Sequence, residues 1–321
     1  MTQRVRQGRA GDGADSSAPA RTGRALTKKQ RVGMAPTHKG QPTVKAKRVP
    51  VIIVGAGRLG GALALALQAK RWPVRVYSRD DTGRERTRAL GLKPATPADL
   101  KKARVCVLCV PDAAVPTVSQ ALSAELPRTV ALVHTAGALP LSALTTQRGR
   151  TVGSFHPLCA VSSARDALEG HTAAISTRSP ALRALLQRMA EDVGFAVIDV
   201  PEAHRAAYHA GAVLSAGGLV ALADAAVGAL GAAGIDPEAA LKALLPLMRS
   251  ALRGLEARGR SGGLTGPIVR GDAGVVSAHL KALPEDIAPL YGQLSRRALR
   301  LASDRLRPEQ RAELEAVLTK P

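Results

Sequence analysis

Aromatic side chains are scarce in this sequence: Trp, Tyr and Phe together make up 2% of its 321 residues. Proteins that bind single-stranded nucleic acid usually stack the bases on such side chains. The scarcity therefore argues against a nucleic-acid-binding function.

Cysteine is also scarce, with only Cys106, Cys109 and Cys159. The first two form a C-x-x-C, but they lie in an apolar run that predicts a strand, where positions three apart point to opposite faces. No second C-x-x-C is present to complete a zinc site. We therefore predict no metal, and free buried thiols in a reducing cytoplasm.

The sequence has no apolar run near its start that would serve as the core of a signal peptide. Its longest weakly polar run, residues 213–234, is dominated by Ala and Gly and contains Asp224. This composition predicts a packed soluble helix rather than a membrane span. We therefore expect a cytoplasmic protein with no membrane partner.

Acidic residues are rare at the N-terminal end, where residues 1–48 hold 12 Lys or Arg against two Asp; the whole chain has a formal net charge of +21. This segment is rich in Gly, Pro, Ser and Gln and has no hydrophobic period, which predicts a disordered basic tail. A basic tail can contact nucleic acid or acidic lipid. Because aromatic side chains are lacking, a solubilising or incidental role is favoured instead.

The strongest motif is a glycine turn between a short apolar strand at 51–54 and a helix that begins near residue 58. Its G-x-G-x-x-G places Gly55 at the tight turn, Gly57 where a pyrophosphate approaches the backbone, and Gly60 where the helix packs on the strand. The free N–H groups at the helix start attract phosphates. The turn predicts a dinucleotide site formed by Gly55, Ala56, Gly57, Arg58, Leu59 and Gly60. The alternative interpretation is a glycine turn in an α/β sheet that binds nothing.

The second strand, at 74–77, ends in Ser78 and Arg79. An NAD site usually has an acidic residue here for the ribose 2′-hydroxyl, whereas an NADP site has small polar and basic groups for a 2′-phosphate. Ser78 and Arg79 therefore favour NADP over NAD, although Arg79 is alternatively an ordinary solvated charge. Asp80 and Asp81 would favour NAD instead, but they lie past the expected strand end.

Strands and helices alternate up to residue 200, which predicts a doubly wound sheet. The carboxyl ends of parallel strands face the cofactor, so Val110, Pro111 and Asp112 are added to the predicted cofactor site, with Asp112 also a helix N-cap. The predicted strands cover residues 51–54, 74–77, 104–110, 129–134, 151–155, 172–176 and 195–200, with a helix at 180–193.

After Pro201 no convincing strand is found. The pattern predicts helices at 202–233, 236–258, 272–282, 284–305 and 308–319, with a glycine-rich loop at 259–271. We therefore predict three parts: a tail (1–48), a Rossmann dinucleotide-binding domain (49–200) and an all-helical domain (201–321). Small residues along the first long helix predict that it packs closely inside its domain or in a dimer.

Histidines are the candidate acids. We expect His156 to follow a strand end and to precede a proline that stiffens the turn, close to the reactive end of the cofactor, where an imidazole can protonate a developing alkoxide or amine. His204 and Tyr208 are four residues apart on a helix and share a face, and His209 begins the next face. The alternatives are a histidine that only orients its loop and ordinary surface histidines.

The loop at 264–272 holds the candidate substrate-binding residues. Thr265 can form a hydrogen bond with a substrate, and Arg270 can hold a carboxylate through two donors. Alternatively, Arg270 pairs with Asp272 and only stabilises the turn, or Asp272 caps the following helix.

These motifs together resemble a bacterial family. They are the glycine turn, Val110-Pro111-Asp112, residues 134–137, Phe155-His156-Pro157, Tyr208-His209-Ala210 and the 264–272 loop. The family is described as a Rossmann-like domain followed by a DUF2520 domain, and it is similar to pyrroline-5-carboxylate reductase, F420-dependent NADP oxidoreductase and the 6-phosphogluconate dehydrogenase group. The resemblance implies an α/β doubly wound domain followed by an all-α domain of 6-phosphogluconate dehydrogenase-like type, a homodimer, and a substrate-holding loop at 265–272. Many of these relatives carry an Asn near the position of Gly217. Glycine has no side-chain amide, so any role of that Asn does not carry over to this chain.

Two functions follow from these residues. One is an NADP-dependent oxidoreductase that transfers hydride to a C=O or C=N of a small, carboxylated metabolite, with His156 as proton donor and Arg270 as substrate anchor. The other is a non-catalytic NADP-binding sensor or regulatory protein, because a fold alone does not specify chemistry.

Overall fold

The computed structural model of the protein describes residues 48–319. The predicted disordered basic tail, residues 1–48, lies outside this range except for Arg48. The Arg48 guanidinium contacts the Asp192 carboxylate at 3.1 Å.

Seven strands form a single sheet in the order β2-β1-β3-β4-β5-β6-β7. The first five in chain order run parallel, β6 is antiparallel to β5, and β7 is parallel to β6. The strands are β1 Val51–Val54, β2 Val74–Tyr77, β3 Val105–Leu108, β4 Ala131–His134, β5 Val152–Leu158, β6 Thr172–Thr177 and β7 Ala196–Asp199.

The central strands are apolar because both of their faces are covered. Val51 and Ile53 of β1 face one core cluster, and Ile52 and Val54 face the other. Helices pack on each side of the sheet, so the predicted doubly wound fold is confirmed. Helices α1 and α5 contribute to the first cluster, and α3 and α4 to the second. These elements are α1 Arg58–Ala69, α2 Asp81–Ala89, α3 Pro97–Lys102, α4 Val115–Glu125 and α5 Pro180–Val193.

Arg150 fixes the C-terminal end of α4. It is 6% exposed, and it donates to the Ser123 hydroxyl and to the carbonyls of Ser123, Leu126, Pro127 and Val130. A cation at a helix C-terminus is favourable because the carbonyls there carry a partial negative charge. These bonds hold the loop after β4 against α4.

The predicted helix cap at Asp112 is wrong. Asp112 begins a short 3-10 turn, Asp112–Ala114, and its carboxylate makes no capping hydrogen bond; α4 begins only at Val115. Pro116 at the second position of α4 needs no N–H partner there, which sets the helix start further along.

Every described element after Asp199 is helical. The predicted continuous helix over 202–233 is wrong, because Ala216 leaves helical geometry (φ −112°, ψ −81°) just before Gly217 and Gly218. Glycine stabilises a helix poorly, and the paired glycines follow the break. The helices are α6 Arg205–Ser215, α7 Gly217–Ala232, α8 Pro237–Gly262, α9 Pro267–Arg270, α10 Ala273–Ala282, α11 Ala288–Ala302 and α12 Pro308–Thr319.

The helical part is packed unevenly. Helices α9–α12 share a small core around Ile268, Val276 and Leu314. In contrast, α7 has no buried residue, and α8 buries only Ala240 and Gly254. Among the described residues, the segment Glu202–Ala232, which α6 and α7 make up together with a short 3-10 turn, is long and apolar enough to cross a membrane by length and composition. Its most apolar part is not buried within this chain. Of the two alternatives for this helix, burial inside its own domain is not seen for α7, and packing in a dimer stays a prediction.

Candidate functional site

The glycine turn after β1 is shaped as the sequence predicted. Gly55 has φ +107°, and a Cβ there would lie 2.5 Å from the Cys109 carbonyl oxygen. A Cβ at Gly60 would lie 2.1 Å from the Gly55 oxygen, so α1 packs directly on the strand. Gly57 is exposed and has nothing within 4 Å of its Cβ position. The turn therefore leaves open space for a phosphate above Gly57, which fits a dinucleotide.

Ala56, Arg58 and Leu59 complete this turn, and the Arg58 side chain is exposed. The end of β3 lies beside it, since a Cβ at Gly55 would also touch Val110. Pro111 and Asp112 follow and are exposed at the same carboxyl edge.

The end of β2 carries two engaged carboxylates. Asp80 caps α2 by accepting from the Gly83 amide, and Asp81 is paired with Arg84. The Arg84 guanidinium also donates to the carbonyl of Arg79 at 3.1 Å. The Ser78 hydroxyl is buried beneath α2 and has no partner in the described part of the chain, whereas Arg79 is exposed.

His156 does not follow a strand end, so that prediction is wrong. It lies inside β5 and is paired with Ala174 of the antiparallel β6. The strand continues through Pro157 because hydrogen bonding to β6 extends it to Leu158. The sequence gives no sign of this reversal, because an antiparallel partner changes the length of a strand but not its apolar pattern.

The imidazole of His156 is paired with a phenol from the first helix after the sheet. Its Nδ1 lies 2.7 Å from the Tyr208 hydroxyl, with the two rings edge to face. Burial, followed by the charges of His209 and Arg205, lowers the pKa of His156 to about 4. A neutral imidazole that accepts the Tyr208 proton at Nδ1 carries its own hydrogen on Nε2. The other ring nitrogen is then a hydrogen-bond donor.

His209 and His156 both lie against the turn after β4. The Cβ position of Gly137 is 2.3 Å from His209 Nδ1 and 2.9 Å from His156 Nε2. Only glycine leaves room for the two rings at this point. His209 Nδ1 is buried and has no partner within the described chain.

His156, Tyr208 and His209 form a cluster with a further residue, Arg205, which the sequence analysis did not identify. It is 1% exposed, and its two terminal nitrogens donate to the Ser154 hydroxyl at 2.8 Å and to the Ala136 carbonyl at 2.7 Å. Its Nε has no partner in the described structure. Since arginine is usually exposed, its position three residues before Tyr208 was the only available signal.

His134, at the end of β4, is fully buried beside this cluster. Neither ring nitrogen makes a well-formed hydrogen bond to the described chain, and the backbone of Pro140 and Ala136 lies nearest. Burial, more than the nearby Arg205 charge, lowers the pKa of His134 to about 4. The ring is therefore neutral at neutral pH.

The other predicted site residues lie elsewhere. His204 is exposed in the 3-10 turn before α6 and makes no side-chain contact with the cluster. Thr265 is exposed just before α9. Arg270 is paired with Asp272 at 2.8 Å, as the alternative interpretation proposed, and Asp272 does not cap α10.

No group of three or more potential ligands in the described residues forms a metal site. Cys106 and Cys109 face opposite sides of the sheet, as their spacing predicts. Burial raises the pKa of each of these two thiols to about 12.

Comparisons with known proteins agree with this architecture. A family model for a Rossmann-like domain matches residues 34–157, and the domain of unknown function DUF2520 matches residues 171–298. None of the curated proteins matches the chain in sequence.

Several solved structures share the fold. A candidate NADP oxidoreductase from Bacteroides fragilis is 26% identical, with a TM-score of 0.64 over 78% of this chain and 98% of that one. A protein from Thermotoga maritima is also 26% identical, with a TM-score of 0.64 over 80% of this chain and all of the other.

A 1-pyrroline-5-carboxylate reductase from Streptococcus pyogenes has a TM-score of 0.56 at 16% identity, over 78% of this chain and 98% of that one, which shows a shared fold. Residues 34–157 therefore match the Rossmann-like model and residues 171–298 the DUF2520 model, in the order that the motifs predicted.

Proposed function

We propose that the protein is an NADP-dependent oxidoreductase that transfers hydride to a C=O or C=N bond of a small, carboxylated metabolite. One observation carries the proposal: the His156–Tyr208 pair lies at the same carboxyl edge of the sheet as the open glycine turn. Ligands of such sheets bind at this edge. The solved structures named for NADP chemistry support the same class of reaction.

The chain offers a fitting cradle for the cofactor. Gly55, Gly57 and Gly60 would hold the pyrophosphate at the start of α1, where free N–H groups point outward. Val110, Pro111 and Asp112 would line the next part of the edge. A bound nicotinamide cofactor supplies the hydride, and the protein supplies position and charge.

NADP is favoured over NAD by the state of the carboxylates after β2. Asp80 caps α2 through Oδ1 and Asp81 is paired with Arg84, so both carboxylates are held against α2 rather than directed only towards a ribose hydroxyl. The Arg79 guanidinium is exposed and is available for a 2′-phosphate. The unpartnered Ser78 hydroxyl would donate to the same phosphate after its side chain rotates.

His156 and Tyr208 would supply the proton. Because the imidazole is neutral at physiological pH, its Nε2–H would donate to the reacting group while Nδ1 takes the Tyr208 proton. Burial raises the pKa of the Tyr208 hydroxyl, so the phenol stays protonated at neutral pH. His209 would contact the substrate beside them. His204 is the weakest of the four candidate catalytic residues, because it is exposed.

The substrate anchor would be Arg270, with Thr265 beside it; because both lie away from His156 and Tyr208 in this chain, they would reach the substrate from the second copy of the proposed dimer. Both side chains are exposed, and a substrate carboxylate would replace Asp272 as the partner of Arg270. The arrangement is open to a ligand, since this ion pair is at the surface and contributes little to stability.

A homodimer is the proposed assembly. Leu214, Val220 and Leu247 are 74%, 70% and 64% exposed in this chain, and patches of this extent mark association surfaces. A second copy would cover the unburied layer α6–α8. We propose a cytoplasmic location and no membrane partner, and we expect no nucleic-acid partner for the described part.

Titration calorimetry with NADPH and NADH tests the cofactor. Arg79→Glu should weaken NADPH binding at least about tenfold and leave NADH unchanged, since a charge-assisted phosphate contact is lost. Arg86→Glu, an equal charge change at an exposed position of α2, is the matched control. Equal affinity of the wild-type protein for the two cofactors would contradict the NADP preference.

Turnover tests the chemistry. NADPH oxidation is followed with a panel of keto acids, aldehydes and cyclic imines. Tyr208→Phe should lower kcat by about 100-fold with little change in NADPH affinity. Tight NADPH binding with no turnover across the panel would favour the sensor alternative.

A further inference from the structure

The buried charge of Arg205 bears on which bond accepts the hydride. We infer that the site beside His156 takes a carbonyl, whose oxygen becomes negative during reduction, rather than a protonated imine. This choice rests on the proposed oxidoreductase function and narrows its substrate class.

The charge of Arg205 is only partly neutralised. Its terminal nitrogens contact a hydroxyl and a carbonyl, which carry no formal charge. The nearest carboxylate oxygen in the described chain is Oε1 of Glu202 at 4.0 Å, and that side chain is 40% exposed. Glu202 also accepts from the Leu141 amide at 2.8 Å, which holds it at the surface of the cluster.

The charge lies close to the groups that would meet the substrate. Ser154 precedes His156 by two residues and shares its face of β5, a separation of about 7 Å between their positions. Ala136 directly precedes Gly137, against which the rings of His156 and His209 are packed. Arg205 therefore forms hydrogen bonds to residues next to His156 on two elements, β5 and the turn after β4.

No second buried charge in the described cluster offsets it. The neighbouring rings of His134 and His156 are both neutral, because burial lowers the pKa of each to about 4. Asp112 acts on Arg205 from the end of β3, but its side chain is exposed. Burial lowers the pKa of Arg205, yet arginine stays protonated in proteins. Arg205 therefore makes the site beside His156 positively charged.

A positively charged site favours the carbonyl over the protonated imine as the hydride acceptor. In carbonyl reduction, hydride from a bound reduced nicotinamide would bond to the carbonyl carbon, the C=O π pair would move to oxygen, and a proton from the His156–Tyr208 pair would complete the alcohol. The nicotinamide would be oxidised in the same step. Negative charge develops on the oxygen, and a nearby cation stabilises it. Reduction of C=N starts from the protonated iminium, because a neutral imine would leave an amide anion. A cation repels that iminium.

Three isosteric probes test this directly: acetate, acetamide and acetamidinium, which carry charges of −1, 0 and +1 on the same planar skeleton. Their dissociation constants are measured by NMR at the His156 ring resonances, with and without NADP⁺. We expect acetate to bind at least about tenfold more tightly than acetamidinium, with acetamide between them. Tighter binding of acetamidinium, or no binding of any probe, would overturn the inference.

Two variants of opposite effect show whether Arg205 is the cause. Arg205→Met should reduce the acetate-to-acetamidinium preference at least about fivefold, and Glu202→Gln, which keeps an acceptor for Leu141, should widen it. Arg205→Lys keeps the charge and is the matched control. An unchanged preference in folded Arg205→Met overturns the inference.

If Arg205→Met does not fold, the Glu202→Gln result decides, and an unchanged ratio there also overturns the inference. The probes report on charge without turnover. Failure of the NADPH assays would therefore reject the proposed function while leaving the probe result separate.

Discussion

At the residue scale, two glycines of the turn after β1 differ in the room around them. Gly57→Ala adds a methyl group to open space, so we expect an unchanged melting temperature and at least about tenfold weaker NADPH binding, because the methyl group occupies the phosphate position. Gly60→Ala should destabilise the fold by about 2 kcal/mol, since its Cβ meets the Gly55 carbonyl. Thermal unfolding and NADPH titration measure both. Normal NADPH affinity in Gly57→Ala would place the cofactor elsewhere.

His134 makes stability depend on pH. Its pKa is about 4 when folded against an ordinary 6.5, so the unfolded chain binds the extra proton between these values. Its contribution is full above pH 6.5 and is lost as the pH falls towards 4, by about 3 kcal/mol at most. His134→Leu should flatten the dependence of the unfolding free energy on pH in urea titrations, leaving the part due to His156. An unaltered slope would show that the ring is not buried as described.

Single residues mark the limit of sequence-based inference at this site. The roles of Gly55, Gly57 and Gly60 in the turn could be predicted, because each follows from a steric requirement within the turn itself. His156 and Tyr208 were both named, but their pairing depends on how the helix after the sheet returns to β5. Arg205 could not be found, because burial of an arginine is decided by partners that are distant in sequence.

At the scale of elements, Arg150 stabilises α4 together with the loop that follows β4. Arg150→Met removes one donor from each of four carbonyls and from the Ser123 hydroxyl, of which only the Pro127 carbonyl and the hydroxyl have another donor among the hydrogen bonds described, and we expect a loss of about 3 kcal/mol in the free energy of unfolding. Arg150→Lys keeps the charge but reaches fewer acceptors, so its loss should be smaller. Urea denaturation measures both. Wild-type stability of the Met variant would contradict the assigned role.

The helices were harder to predict than the strands. The strands of the sheet could be located because each is a short apolar run between turns. The break at Ala216 could not, since residues 202–233 have a continuous helical pattern and the departure involves one residue. Helix α9 was placed inside a predicted loop, because its four residues are too few to show a period.

At the scale of the whole molecule, the exposed layer α6–α8 predicts that the chain is dimeric. Leu214→Asp or Val220→Asp places a charge in the proposed interface and should yield a monomer in sedimentation velocity. Ala89→Asp, at an exposed position of α2, is the control and should remain a dimer. A monomeric wild-type protein at micromolar concentration would reject the assembly.

The overall architecture could be predicted because strand and helix alternate up to residue 200 and then only helices follow. The missing cover over α7 could not, since apolar residues predict burial without saying which surface buries them. In the proposed dimer, the covering surface would belong to the second copy of the chain.

Cys106 lies in β3, in the middle of the sheet, and is fully covered. Because thiolate is the form that alkylating reagents attack, this residue stays unmodified while the strands remain joined. The rate at which iodoacetamide labels Cys106 therefore measures how fast the sheet opens. A bound cofactor that stabilises the glycine turn after β1 should lower this labelling rate.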